Sequence, residues 1–194
     1  MDWSNAKSLS DLGELTSRWL TGEISTCPSQ SAPPDCETGK IVKYLIAINK
    51  LGFVTDFSQP AGKFDNGYAQ RACVSGFCSE SHALAVAGLT LSTNLIVHAF
   101  PPNQSGGYQI PITIVDYHPF TWHGLHSPED CYEMVVNPDA INELLRSWYL
   151  IVIDPNWGRQ QFLWTHTLKA MGEDNCLFDS RPSPDLNLDV DFVF

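Results

Sequence analysis

The chain has 194 residues, 43% of them hydrophobic and 17% charged. That is enough apolar material for one sizeable core and too little charge for disorder throughout. Its 22 acidic residues against 11 basic ones leave a net charge of −11, which argues against a nucleic-acid partner that must be held through its phosphates, and no basic amphipathic face suits anionic lipid.

No apolar run reaches the roughly 18 residues of a membrane span, so no membrane partner is expected. The opening residues, MDWSNAKSLSDLGEL, are polar and acidic, unlike a signal peptide. The six cysteines, at 27, 36, 73, 78, 131 and 176, form no C-x-x-C pair and read as reduced thiols of a cytoplasmic protein.

Residues 5–20 carry Leu9, Leu12, Leu15 and Trp19 at helical spacing, with Ser8 and Asp11 as a capping pair. A loop rich in Ser, Thr and Pro follows. A second helix is expected in ETGKIVKYLIAINKLG, where Ile41, Tyr44, Leu45, Ile48 and Leu51 form one stripe and Gly52 ends it. FVTDF reads as a strand stopped by SQPAG, and residues 62–67 as a loop. QRACVSGF is a strand weakened by Gly76. SHALAVAGLTL is helical by composition, NLIVHAF and YQIPITIVDY are strands around the turn PPNQSGG, and Asn137-Pro138 caps and opens a helix. YLIVIDP is a strand and QFLWTHTLKAM the last helix. The expected fold is a single mixed α/β (α+β) domain over 1–176, a mixed sheet flanked by helices, with an acidic tail at 177–194.

The common motifs are absent: no G-x-G-x-x-G, no phosphate-binding loop, no G-x-S-x-G and no H-E-x-x-H. One cluster stands out. Tyr117, His118, His123, His126 and Asp130 lie between Asp116 and Cys131. The spacing H-x4-H-x2-H-x4-C is open to three readings: imidazole and thiolate ligands for a metal, a general base near neutral pH, or a polar loop. His98, within an apolar strand, reads as a hydrogen-bonded core histidine.

Several ordered blocks carry a family resemblance. L-x-D-L-G-E-L-x4-W-L-x-G-E opens the chain, ETGKIVKYLIAINKLGFVTDFSQP follows, then GYAQRACVSGF, PITIVD and YLIVIDPNWGRQQFLWTHTLKA. From about Leu9 to about Met171 the chain resembles the C-terminal, S-adenosylmethionine-binding regulatory domain of eukaryotic methylenetetrahydrofolate reductase. The resemblance implies that fold, and a pocket for S-adenosylmethionine or S-adenosylhomocysteine. It places the contacts on Glu37, Thr38, Thr55, Ser58, Gln59 and Thr113. The residue chemistry agrees: Glu37 and Thr38 begin a helix, where unpaired N–H groups suit hydroxyl or anionic partners, and Thr55 and Ser58 flank a strand exit.

The sequence also departs from that family. The barrel that carries flavin and folate chemistry has no counterpart, so no flavin is expected. Ile96 stands where the family offers a second threonine, and DYHPFTWHGLHSPEDC replaces an apolar stretch. Two functions follow. One is a standalone methyltransferase acting on a small molecule, with His118 and His123 as catalytic groups and Tyr117 and His126 behind them. The other is a sensor that binds the ligand without turnover and signals to a protein partner. A kept fold with a lost ligand is the third reading.

Overall fold

Helix formation begins where the capping chemistry puts it. Ser8 Oγ accepts from the Asp11 N–H at 3.2 Å, and α1 runs Leu9–Leu20. The chain before it is not α-helical, because Asp2 caps a separate 3-10 turn, Trp3–Asn5. The computed structural model describes residues 2–28, 32–104, 107, 109–128, 132 and 137–173. Asp130, Cys131, Cys176 and the tail at 177–194 lie outside the described residues.

Four further α-helices are described: α2 (Val42–Lys50), α3 (Glu80–Ala87), α4 (Pro138–Leu145) and α5 (Phe162–Ala170). Asn137 caps α4 as its sequence predicts, its Oδ1 accepting from the Asp139 N–H at 2.9 Å. The strands are β1 (Val54–Gln59), β2 (Gly62–Asp65), β3 (Tyr68–Gln70), β4 (Cys73–Cys78), β5 (Ile96–Phe100), β6 (Ile110–Val115), β7 (His118–His123) and β8 (Trp148–Ile153). The result is the expected single α+β domain with helices flanking sheet. Its strands form two four-stranded sheets, ordered β1-β4-β8-β5 and β2-β3-β6-β7, and every described pairing is antiparallel.

Two segments read as loops are strands. Residues 62–67 become β2 and both residues of a tight turn: Asp65 pairs with Tyr68 across Asn66 and Gly67, both at positive φ, the geometry a two-residue hairpin requires. The histidine-rich segment becomes β7, joined to β6 through Asp116 and Tyr117, also both at positive φ.

The first sheet is buried on both faces. Alternation along β8 sends Leu150 and Val152 to one face, with α2, α3 and α5, and Tyr149, Ile151 and Ile153 to the other, with α1, α4 and Ile112 of β6. Each large side chain so buried contributes about 2 kcal/mol. The second face, where the two sheets and α1 meet, also holds the polar groups considered next. No helix among the described residues is long and apolar enough to cross a membrane.

Candidate functional site

The site is built on an irregularity in β1. Thr55 pairs with Gly76 and Phe57 with Ser75, so Asp56 is an extra residue opposite no partner, a β-bulge. Gly76 makes this close approach feasible. A Cβ there would lie 2.0 Å from the Val54 carbonyl oxygen. The glycine that weakens β4 as a sequence pattern is thus what lets β1 press against it. The bulge turns Asp56 inward, and its side chain is 1% exposed.

Asp56 is surrounded by donors. The Ser75 hydroxyl lies 2.8 Å from Oδ1, the Tyr149 hydroxyl 3.0 Å from Oδ2, and His126 Nδ1 2.8 Å from Oδ2. Burial pushes the Asp56 carboxyl up, but the hydrogen bond and charge of His126 and the Ser75 hydroxyl outweigh it and hold it below the usual carboxylate value. An ionised carboxylate only accepts, so Nδ1 of His126 carries a proton. Ser75 and Tyr149 each have one proton to give. With both directed to Asp56, the Ser75 oxygen accepts from His123 Nε2, 2.8 Å away. His123 is therefore neutral with its proton on Nε2. Burial, against the opposing pull of Asp56 and with that of His126, lowers its pKa to about 4. Phe57 stacks on its ring at a centroid distance of 4.4 Å.

Two cavities flank this network. The first, of about 170 Å³, is lined by Thr38, Thr55, Asp56 and Ser58 with Trp3 and Trp19 among the other walls. Both indole N–H groups donate to backbone carbonyls, Trp3 to Thr26 and Trp19 to Ala32. The second cavity, of about 400 Å³, is lined by His126 and Tyr149 together with Phe77, Leu125, Leu144 and Gln104. Asp56 thus belongs to the wall of one cavity and holds a residue of the other.

The residues singled out in the sequence divide. Thr38, Thr55 and Ser58 do line one cavity. The N–H groups of Thr38, Gly39 and Lys40 bond back to the carbonyls of Asp35, Cys36 and Glu37, and α2 starts later. The expected N–H cradle at Glu37-Thr38 is thereby corrected. Glu37 is exposed, beside Tyr68, whose phenol it helps to raise after burial, and does not line the cavity. Gln59 and Thr113 are also corrected. They are buried and bonded to each other, with Thr113 Oγ1 donating to Gln59 Oε1 at 3.0 Å. Gln59 Nε2 donates to the Arg71 and Ile112 carbonyls. Their polar groups join β1 to the second sheet and line neither cavity.

The proposed catalytic four also split. His123 and His126 come together, ring centroids 4.9 Å apart. Tyr117 and His118 sit at the exposed β6–β7 turn, Tyr117 70% exposed against Phe64 and the backbone of Gly67. His118 is exposed at the start of β7, whereas His123 is buried at its end. Among the described residues no group of three or more His, Cys, Asp or Glu is arranged to hold a metal ion. His98 lies half-buried on β5, its pKa lowered by burial. Asp56, Ser75 and Tyr149 escape the sequence reading; the closest hint was a glycine inside a buried strand, which marks a bulge or close backbone approach.

A family model described as a domain of unknown function, DUF6919, matches residues 1–174. No curated protein matches the chain.

Proposed function

The chain belongs to the DUF6919 family, and we propose that it binds an S-adenosylmethionine-type ligand in the first cavity and uses it to methylate a small molecule. One observation carries this reading: Thr38, Thr55 and Ser58, which the sequence resemblance associates with that ligand, line a single cavity although they come from a 3-10 turn and two positions on β1. The rest of the lining suits a compact organic cation. The indoles of Trp3 and Trp19, their N–H groups engaged elsewhere, offer apolar and π surface, and the Asp56 carboxylate lies buried within the wall. Thr38 and Ser58 supply hydroxyls for ribose or amino-acid groups.

When bound, such a ligand supplies an electrophilic methyl group. The chain's own part is to hold it against the indoles and hydroxyls of the wall. At about 170 Å³ the cavity is smaller than the roughly 300 Å³ of the smallest usual ligand sites. The buried, charged Asp56 network favours catalysis over sensing, since such networks cluster at catalytic centres.

Titration calorimetry with S-adenosylmethionine and S-adenosylhomocysteine tests the binding half; heat from neither overturns it. Incubation with cell extract and S-adenosylmethionine tests the transfer half. S-adenosylhomocysteine above a boiled control supports turnover, whereas binding with S-adenosylmethionine unchanged leaves a sensor.

A further inference from the structure

Thr55, half-buried on β1, lines the first cavity, and a side chain of α2 fixes how its hydroxyl is used. Asn49 is 1% exposed. Its Oδ1 accepts from the Thr55 N–H at 3.1 Å, and its Nδ2 donates to the Leu45 carbonyl at 2.9 Å. A backbone donor on one side and a backbone acceptor on the other settle which end of the amide is oxygen and which is nitrogen. The second Nδ2 hydrogen is then the one that meets Thr55 Oγ1 at 2.9 Å, so Oγ1 accepts there. The backbone at Asn49 is itself firmly seated. A Cβ at Gly13 would lie 2.4 Å from the Asn49 carbonyl oxygen, so α2 cannot shift toward α1 at this point.

A hydroxyl has one proton to give. That of Thr55 points away from the amide donor, and no acceptor among the described residues takes it. Other donors in the same wall are already committed within the chain. The Trp3 and Trp19 indoles donate to the Thr26 and Ala32 carbonyls, and Thr16 Oγ1 donates to the Leu12 carbonyl at 2.8 Å. The Thr55 proton is therefore left for whatever fills the cavity. A ligand that displaces water and offers no acceptor leaves this proton unpaired, which costs more than a hydrogen bond gains.

We propose that Thr55 is the donor through which the first cavity reads an oxygen acceptor on its ligand, a carboxylate or a ribose hydroxyl, and that Asn49 is the positioning residue that keeps it a donor. The inference rests on the ligand proposed for that cavity and adds which of its groups the chain selects. No atom of Asn49 touches the ligand; it acts by occupying a lone pair of Oγ1.

Calorimetry of the full chain with S-adenosylmethionine, S-adenosylhomocysteine and methylthioadenosine tests this. Thr55→Val removes the hydroxyl and should weaken S-adenosylmethionine about five- to tenfold, the usual worth of one hydrogen bond. Thr55→Ser keeps the hydroxyl and should hold affinity within about twofold of the wild type. Methylthioadenosine keeps the ribose and lacks the amino-acid end. If Thr55→Val leaves its affinity unchanged, the acceptor is the carboxylate; if it weakens by the same factor, the acceptor is a ribose hydroxyl. Asn49→Asp still accepts from the Thr55 N–H, but its second oxygen captures the Thr55 proton. It should weaken S-adenosylmethionine as Thr55→Val does, and add nothing in the Thr55→Val background, a non-additivity that a merely structural role does not produce. Should near-ultraviolet circular dichroism show Asn49→Asp unfolded, Asn49→Ser takes its place, with a loss expected only where the Thr55 hydroxyl is present. Unchanged S-adenosylmethionine affinity in Thr55→Val overturns the inference alone. Equal losses from an Asn49 variant in both backgrounds overturn the positioning role. No heat from the wild type with any of the three probes overturns the ligand reading, and this inference with it.

Discussion

His123 should make the native state acid-sensitive well above the range where carboxylates titrate. The ring is 4% exposed, stacked on Phe57, and its pKa is lowered by burial from 6.5 to about 4. Between those two values the unfolded chain carries a proton on this residue and the native chain does not. Acid therefore favours unfolding there, by about 1.4 kcal/mol per pH unit. The contribution is fully present above pH 6.5 and is lost as pH falls, completely so near 4; over that span it comes to about 3 kcal/mol. The comparison is urea unfolding of the wild type and of His123→Gln, whose amide can still donate to Ser75, at about pH 7.5 and about pH 5.0. Subtracting the variant removes the titrations that do not feel His123. Over that interval the wild type should lose about 2 kcal/mol more than the variant. A stability gap that stays constant between the two pH values would refute the reasoning and mean that the ring is solvated or charged in the native state.

Four more outcomes are expected. Gly76→Ala places a methyl 2.0 Å from the Val54 carbonyl oxygen, so it should cost about 3 kcal/mol in chemical denaturation by overpacking; a neutral substitution would mean the bulge is not held by β4. Ser58→Ala should weaken S-adenosylmethionine binding by about 1 kcal/mol, roughly fivefold, in calorimetry. Gln59→Leu leaves the Arg71 and Ile112 carbonyls without their amide donor and should cost about 1–3 kcal/mol of stability with ligand affinity unchanged. A tenfold loss of affinity at unchanged stability would restore Gln59 to the binding site. Tyr149→Phe removes a donor to Asp56 and should cost about 1–2 kcal/mol, read as a lower urea midpoint.

Much of this was legible from residues. Capping at Ser8 and Asn137 and the apolar run of β8 located their elements because local chemistry and tertiary packing agree there. Thr38, Thr55 and Ser58 were found together only through the order of motifs. The β2–β3 hairpin was missed because Gly62, Lys63, Phe64 and Asp65 are half-buried to exposed and give no alternating pattern; Asn66-Gly67 was the signal to weigh. β7 contains Pro119 and begins and ends in histidine, which disguised it as a loop. Asp56 was illegible for a deeper reason. A bulge is a relation between two strands, and neither FVTDF nor CVSGF states the register that makes one residue surplus.

Gln59 gives the molecule a mechanical property. It ends the same strand that carries Thr55, Asp56 and Ser58, and its amide reaches Thr113 and the Ile112 carbonyl on β6. Tension applied to β1 by whatever seats against it is therefore passed in part to the neighbouring layer through this side chain, much as a rivet carries shear between two plates.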